Sequence, residues 1–226
     1  MDRHNSQEPD LTYNFYSKMF EAFGPSAEGL GWGSKGLQYR RFETLTRPWR
    51  MEGTSVLDVG CGICDLYQFL KFKVAHYVGL DFLESYCNVA RSRFTDPSFE
   101  VINSDIYSLS ELPTCDIAFA SGTFNVMDGQ SEAENYERIQ SIMSRMGAAA
   151  EIGFSVNFLS DATTYRDKSL FYPSSEIILA IARQISRRVL ITHFEFPFEF
   201  TLHVCSADSY DATTSLFIQD PPQLGT

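Results

Sequence analysis

Three acidic residues of this sequence are spaced so that each can follow one strand of a parallel sheet. Residues 58–64 read Asp-Val-Gly-Cys-Gly-Ile-Cys and follow the apolar pair Val56-Leu57. Asp81 and Asp105 also follow apolar stretches, at intervals of 23 and 24 residues from the preceding acid. Intervals of this length fit one strand and its crossover helix. We therefore expect the three carboxylates to line one edge of a sheet, beyond the carboxyl ends of its strands.

The residue types in this row suit a nucleoside ligand that carries no pyrophosphate. Gly60 and Gly62 let the backbone turn tightly and approach a ligand that a Cβ atom would push away. The carboxylate of Asp58 would repel a pyrophosphate and attract a cationic or hydrogen-bond-donating group. At the next two strand ends, Asp81 fits two ribose hydroxyls and Asp105 fits an exocyclic amine. Each acid alone could instead cap a helix, but three in register favour a ligand site.

Two other interpretations of the glycine loop are weaker. A nicotinamide-binding fingerprint would require a glycine at position 65, where the chain has an aspartate. Cys61 and Cys64 have the spacing of a redox pair, but that interpretation leaves the acids at the strand ends unexplained. The odd total of five cysteines argues against a disulfide framework, and no nearby ligands complete a metal site. We therefore predict no bound metal.

Alternating apolar stretches and amphipathic stretches predict an α/β sheet with crossover helices. The predicted strands are 55–59, 75–80, 99–103, 114–120, 149–157, 188–194 and 198–205, and the predicted helices are 63–71, 82–94, 132–146 and 175–186. Ser131 and Glu134 predict a capping box for the third of these helices. Because only residues 194–197 join the last two strands, we expect these strands to pair antiparallel at one edge of the sheet.

The N-terminal part of the chain reads as a helical addition to this sheet. Two predicted helices, at about residues 10–23 and 37–45, flank a polar, glycine-rich break with Trp32 in its middle. Asp10 could cap the first helix, and residues 1–9 read as a disordered tail. The predicted organisation is an N-terminal tail and helical lid over 1–50, an α/β body over 51–206 and a loose tail over 207–226.

The composition restricts the class of protein and its partners. The chain has 226 residues, 44% of them hydrophobic and 21% charged, as expected of one large soluble domain. Its formal net charge is −11 and its basic residues form no patch, so we expect no nucleic-acid partner. No apolar run reaches the roughly 20 residues of a membrane helix, and the first ten residues do not resemble a secretory signal. We expect a cytoplasmic protein without membrane association.

The glycine loop and the three acids together resemble those of class I S-adenosylmethionine-dependent methyltransferases, over about residues 37–205. The resemblance implies a Rossmann-like fold: a seven-stranded, mostly parallel sheet with an antiparallel last strand, helices on both faces and an N-terminal helical lid. It also implies S-adenosyl-L-methionine as the cofactor. The family's loop has a third glycine where this chain has Cys64, and we expect this departure to narrow the loop near the cofactor.

The resemblance assigns cofactor contacts residue by residue. Those it implies are Asp58, Gly60 and Gly62 in the loop, Asp81 at the ribose, Phe82, Asp105 and Ile106 at the adenine, and Ala120 and Ser121, whose carbonyls would meet the methionine ammonium. Relatives with a helix before the first strand often place an arginine on the methionine carboxylate. Arg41 is the candidate here, with Arg40 and Gln38 as alternates, and a solvent-exposed helix residue is the competing interpretation of Arg41.

The acceptor side of the site is less defined by the sequence. The predicted substrate contacts are Tyr13, Tyr16, Asn125 and Asn157, and the predicted catalytic residues are Asn125, Tyr165 and His193. Each aromatic residue could instead pack in the core, and His193 could pack at the sheet edge. An aromatic content of 14% and an aromatic first helix favour an enclosed site for a small molecule.

These features lead to one expected function and two alternatives. The expected function is methyl transfer to an oxygen or nitrogen nucleophile of a small molecule, for example in specialised metabolism. The first alternative is an enzyme on the same fold that consumes S-adenosylmethionine without methylating, such as a cyclase or lyase that releases methylthioadenosine, similar to an azetidine-carboxylate synthase. The second is a cofactor-binding partner subunit without catalytic activity. The sequence does not indicate the oligomeric state.

Overall fold

The computed structural model describes residues 11–71, 73–127 and 131–206. The predicted tails at 1–9 and 207–226, and the predicted cap at Asp10, lie outside these ranges. The helices are α1 (Leu11–Phe23), α2 (Lys35–Thr46), α3 (Asp65–Leu70), α4 (Glu84–Arg93), α5 (Glu132–Ala149) and α6 (Ser175–Ile185). The strands are β1 (Ser55–Val59), β2 (His76–Asp81), β3 (Phe99–Asn103), β4 (Cys115–Ser121), β5 (Ala150–Leu159), β6 (Val189–Thr192) and β7 (Glu199–Cys205).

The strands form one sheet in the order β3-β2-β1-β4-β5-β7-β6. Strands β1 to β5 pair in parallel, whereas β7 is antiparallel to both of its neighbours, β5 and β6. This arrangement confirms the predicted mostly parallel α/β sheet with an antiparallel last strand. The chain leaves β1 toward β2 on one side and places β4 on the other, so the strand order reverses between β1 and β4. Ligands of open α/β sheets bind beyond the carboxyl ends of the strands at such a reversal.

Helices cover both faces of the sheet. Helices α5 and α6 bury a cluster on one face that includes Met143 and Ile178, whereas α2, α3 and α4 bury a second cluster on the other face that includes Leu45 and Leu66. The central strands β4 and β5 are buried on both faces, as their apolar sequences predict. None of the helices in the described part of the chain combines the length and the hydropathy that a membrane span requires.

Local sequence signals explain the ends of several elements. The Ser131 hydroxyl accepts from the backbone N–H of Glu134, whose carboxylate accepts from the backbone N–H of Ser131, so the predicted capping box of α5 is confirmed. The break between α1 and α2 differs from its prediction, because it contains the 3-10 turn Glu28–Leu30. Two apolar side chains of this segment, Leu30 and Trp32, pack against glycines of the loops beyond the sheet, as described below.

A buried chain of hydrogen-bonded side chains connects the segment before β1 to β7. The indole N–H of Trp49 donates to the Ser155 hydroxyl at 2.6 Å, and that oxygen lies 2.7 Å from Nδ1 of His203. Burial, together with the smaller effect of the positive charge of Arg47, lowers the pKa of His203 to about 3. His203 therefore stays neutral in the folded protein over the whole range in which an unfolded histidine becomes charged.

We expect His203 to make the protein acid-sensitive. Since the folded pKa lies below the unfolded value of about 6.5, stability is complete above that pH and is lost as the pH falls below it. The loss should reach about 2 kcal/mol of unfolding free energy between pH 6.5 and pH 5. Denaturant unfolding of the wild type and of His203→Gln across this range measures it. The exposed-residue control His193→Gln should follow the wild type, and equal pH slopes in all three proteins would contradict the prediction.

Candidate cofactor and acceptor site

A cavity of about 240 Å³ lies beyond the carboxyl ends of β1, β2 and β4. The loops after these strands form its floor, and α1, the segment 24–36 and the first half of α2 form its roof and one wall. A second cavity of about 330 Å³ adjoins it and shares Phe82, Ile106 and Thr123 among its lining residues. Together the two cavities occupy the position that the reversal of strand order predicts for a ligand.

The glycine loop gives the cavity a floor of exposed backbone. Gly60 and Gly62 have φ values of +71° and +55°, in the left-handed region that glycine adopts without strain. A Cβ atom on Gly60 would lie 2.6 Å from the Thr123 hydroxyl, and one on Gly62 would lie 2.7 Å from the Leu30 side chain. Glycine is therefore required at both positions, because φ is positive there and because a Cβ atom would clash with a neighbouring side chain.

Cys64, at the position of the family's third glycine, also has a positive φ, of +58°. Its thiol does not face the cavity but is buried, where Cys61 and Cys64 both crowd the Cα atom of Gly79 on β2. A Cβ atom on Gly79 would lie 2.9 Å from the Cys64 sulfur. The expectation that Cys64 narrows the loop near the ligand is therefore wrong, because this side chain fills the space that Gly79 leaves in the core.

Asp81 connects the end of β2 to the glycine loop. Its carboxylate accepts from the backbone N–H of Gly62 at 2.8 Å and from that of Leu83 at 2.9 Å. Burial raises the pKa of Asp81 to about 6, although the backbone N–H bonds lower it. Each carboxylate oxygen keeps a second lone pair, so Asp81 can hold the loop and accept from a ligand at the same time.

Asp58 lies at the end of β1 and lines the same cavity. One of its oxygens accepts a hydrogen bond from the hydroxyl of Tyr77, on the neighbouring strand β2. Burial raises the pKa of Asp58 to about 7, the Tyr77 bond lowers it, and the charges of Asp81 and Asp65 raise it. The floor of the cavity thus holds two carboxylates that burial makes costly to ionise without a cation.

Arg41 reaches the cavity from α2 and is held on several sides. Its Nε donates to Glu199 of β7 at 2.6 Å, and its Nη2 donates to the other oxygen of that carboxylate. Its guanidinium carbon lies 4.9 Å from the ring centroid of Trp32 and 4.8 Å from that of Phe196. The Arg41 and Glu199 side chains are only 12% and 15% exposed, so Arg41 is not a solvent-exposed helix residue.

Four buried polar atoms on residues that line the cavity have no hydrogen-bond partner within the described structure. They are Gln38 Oε1, Arg41 Nη1, Ser121 Oγ and Asn125 Oδ1. Leaving a buried polar atom unpaired costs about 1–3 kcal/mol. One donor and three oxygens in a single cavity fit a ligand with both a carboxylate and an ammonium group, as the methionine part of S-adenosylmethionine has.

Aromatic side chains close the cavity from above. The rings of Tyr13 and Tyr16, on α1, lie 6.1 Å and 6.4 Å from the ring of Phe82, and the Tyr16 hydroxyl donates to the carbonyl oxygen of Gly122 at 3.4 Å. Trp32 lies over Gly122, where a Cβ atom would be 2.8 Å from its ring. The segment 24–36 is therefore part of the roof, which its polar, glycine-rich sequence did not predict.

The structure brings most of the predicted site residues together. The predicted residues that line the first cavity are Tyr16, Arg41, Asp58, Gly60, Gly62, Asp81, Phe82, Ile106, Ser121 and Asn125. Tyr13 and Asp105 line the adjoining cavity, together with Phe82 and Ile106. Of the alternates to Arg41, Gln38 lines the first cavity, whereas Arg40 lines neither.

Four predicted residues line neither cavity. Ala120 is fully buried within β4, and Asn157 is buried with its side-chain oxygen accepting from the Gly122 N–H at 2.8 Å. Tyr165 is 80% exposed on the loop after β5. His193 is exposed at the end of β6, which β7 separates from β5. These placements correct the predicted catalytic roles of Tyr165 and His193 and the predicted ligand contacts of Ala120 and Asn157.

Comparison with known proteins agrees with this geometry. Residues 56–147 match the family model of a methyltransferase domain. A Mycobacterium tuberculosis protein named "Putative methyltransferase Rv1506c" is 29% identical over 160 residues, which cover 68% of this chain and 93% of that protein.

Solved structures share the fold at low sequence identity. N-methyltransferase NodS from Bradyrhizobium japonicum, in complex with S-adenosyl-L-homocysteine, aligns with a TM-score of 0.65 at 12% identity and covers 87% of this chain and 98% of its own. Magnesium protoporphyrin IX methyltransferase from Synechocystis, also with this product bound, has a TM-score of 0.58 at 15% identity and covers 75% and 82%. The domain match, the relative and the shared fold together support the assignment of this chain as a class I S-adenosylmethionine-dependent methyltransferase.

Proposed function

We propose that this enzyme transfers the methyl group of S-adenosylmethionine to an oxygen or nitrogen nucleophile of a small molecule. The observation that carries the proposal is the convergence of four unpartnered polar atoms on one roofed cavity beside the glycine loop. The name of the structurally similar magnesium protoporphyrin IX methyltransferase shows that this fold can serve a small-molecule substrate. Specialised metabolism is one setting in which such an activity would act.

Different residues of the two cavities would bind different parts of the cofactor. Arg41 Nη1 would meet the carboxylate, and Gln38 Oε1 and Ser121 Oγ would accept from the ammonium group. Asp81 would accept from the ribose hydroxyls while it holds the loop. Phe82 and Ile106, which line both cavities, would flank the adenine. The Asp105 carboxylate would accept from the exocyclic amine in the adjoining cavity.

The protein's contribution to the reaction is alignment and the exclusion of water. When bound, S-adenosylmethionine supplies a methyl group on a positively charged sulfur, which is already a strong electrophile. Phe15, Tyr16 and Trp32 would keep water out of the cavity. Asn125 Oδ1 would accept from the hydroxyl or amine of the acceptor and orient it. We assign no general base, and the Glu199 carboxylate, which lines the cavity, is bound to Arg41.

The buried cysteines support a cytoplasmic location as part of the proposal. All five are buried and unpaired, which is usual for proteins that stay in a reducing compartment. We also propose that α1 and the segment 24–36 act as a lid over the α/β body.

Product analysis by mass spectrometry tests the reaction type. The protein is incubated with S-adenosylmethionine, either alone or with a mixture of phenols, alcohols and amines. S-adenosylhomocysteine that forms only with the mixture, together with a methylated acceptor, supports the proposal. Methylthioadenosine that forms without any acceptor would instead favour the cyclase or lyase alternative. Tight cofactor binding without either product would favour a binding subunit.

A further inference from the structure

The carboxylate of Asp58 is buried close to other acidic side chains. It is 3% exposed at the end of β1. Asp81 on β2 and Asp65 on α3 both raise its pKa by their charge. The charge of Asp65 is offset by Arg93 of α4 at 2.7 Å, and that of Glu199 by Arg41 of α2. Asp58 and Asp81 are therefore the two acids of the first cavity without a basic side chain in contact among the described residues.

The pairing of β1 with β2 brings the Tyr77 hydroxyl to Asp58. Asp58 is paired in register with Gly79, and Tyr77 is paired with Val56, so these four positions share one face of the sheet. Gly79 has no side chain to separate the two groups. The thiols of Cys61 and Cys64 fill the space beside it, and burial raises the pKa of the Cys61 thiol, which keeps it neutral.

The ring of Tyr77 is fixed by its neighbours. It is fully buried, stacked on Phe99 at 5.9 Å between ring centroids and tilted against Tyr67 at 5.0 Å. Burial and the charge of Asp58 raise the pKa of its hydroxyl, so the hydroxyl stays protonated and donates. A hydrogen bond to the charged form of a buried carboxyl group favours ionisation.

We infer that Tyr77 is a positioning residue, which keeps Asp58 ionised and correctly oriented so that the cavity can bind a cationic ligand near neutral pH. This inference rests on the proposed function, in which that ligand is S-adenosylmethionine. Tyr77 does not line the cavity itself. It would act through Asp58, from the second strand of the sheet.

Tyr77→Phe tests the inference, and Tyr67→Phe is its matched control. Tyr67 lies in the same aromatic cluster, but its hydroxyl contacts Ser98 at 3.5 Å and not Asp58. The dissociation constant of S-adenosylmethionine is measured by calorimetry between pH 6 and pH 8.5. In the wild type the affinity should rise with pH as Asp58 loses its proton. In Tyr77→Phe the midpoint of this rise should lie about one pH unit higher, which gives about fivefold weaker binding at pH 7.

Two comparisons separate the possible outcomes: Tyr77→Phe against Tyr67→Phe, and Tyr77→Phe with and without Asp58→Asn. The ligand's own amine titrates in every experiment, so only the difference between the variants reports on Asp58. Equal midpoints in Tyr77→Phe and Tyr67→Phe would overturn the inference. So would a shift by Tyr77→Phe that persists when Asp58 is already replaced by Asn.

The pH dependence of unfolding, measured without ligand, tests the same pair if the wild type does not bind S-adenosylmethionine. That failure would count against the proposed function alone. Because the folded pKa of Asp58 is raised, stability is lost as the pH rises toward that pKa. In Tyr77→Phe the loss should continue to higher pH than in Tyr67→Phe, and identical profiles would overturn the inference.

Discussion

Replacing Arg41 with alanine is expected to weaken the binding of S-adenosylmethionine by about 10- to 150-fold, the equivalent of about 1.5–3 kcal/mol for a hydrogen bond between charged groups. Its Nη1 is the unpartnered donor among the four orphaned atoms of the cavity, and the ligand carboxylate is the group it would meet. The substitution also leaves the Glu199 carboxylate without its counter-charge. We therefore expect the free energy of unfolding to fall by about 1–3 kcal/mol as well.

A ligand without a carboxylate separates the two effects of Arg41→Ala. Decarboxylated S-adenosylmethionine should bind the wild type and the variant with similar affinity, whereas S-adenosylmethionine should not. The double variant Arg41→Ala/Glu199→Ala should recover stability but not affinity. Arg47→Ala is the matched control, because Arg47 follows the same helix and binds Glu195 outside the cavity. An unchanged preference for the carboxylated ligand in Arg41→Ala would contradict the assignment.

Replacing Asp81 with alanine should weaken cofactor binding by about 5- to 150-fold, from a loss of about 1–3 kcal/mol. The variant loses the proposed acceptor for the ribose. It also leaves the N–H groups of Gly62 and Leu83 without their carboxylate, so the glycine loop is less firmly held. Asp81→Asn keeps only one oxygen, and its affinity should lie between those of the wild type and Asp81→Ala.

Titration calorimetry of the Asp81 variants needs a control for general destabilisation. Asp116 also accepts hydrogen bonds from a backbone N–H and a hydroxyl, both of Ser55. These two residues lie at the amino ends of β4 and β1, away from the cavity. Asp116→Ala should therefore lower stability and leave affinity unchanged in the folded protein. Wild-type affinity in Asp81→Ala would remove the ribose assignment.

The sheet and its row of acids could be predicted because each depends on local pattern. Strand β4 and the core of β5 are nearly all apolar, as is typical of strands buried on both faces. The acids at positions 58, 81 and 105 follow apolar stretches at regular intervals, and the carboxyl ends of parallel strands meet at one edge. The lining of the two cavities by Asp58, Asp81 and Asp105 agrees with that geometry.

The parts of the site that could not be predicted depend on contacts between distant residues. Glu199 is 158 positions from Arg41, and no local signal links the two. Leu30 and Trp32 lie in a segment without periodicity, and they are placed by the space that Gly62 and Gly122 leave in other loops. The spacing of Gln38 and Arg41 on α2 does not show which of the two side chains reaches the cavity, and both of them line it.

The mistaken assignments have a common physical origin. Tyr165 follows a predicted strand and His193 lies at the end of one, as the three acids of the two cavities do. However, β6 is the edge strand of the sheet, so its carboxyl end lies away from the reversal between β1 and β4. The loop after β5 instead reaches the cavity through Leu170, which bridges to Val126. A position after a strand therefore does not by itself place a residue in the site.

The attachment of α1 has a consequence for how fast the enzyme can exchange its ligand. No residue of α1 is fully buried, and the helix contacts the body through rings packed on Phe82 and Tyr86 and through the hydrogen bond from Tyr16 to Gly122. Phe82 and Tyr86 both line the ligand cavity, so under the proposed lid function α1 would have to move off them before a ligand enters or leaves. Association should then be slower than diffusion and should saturate at high ligand concentration, with the opening rate of α1 as the ceiling.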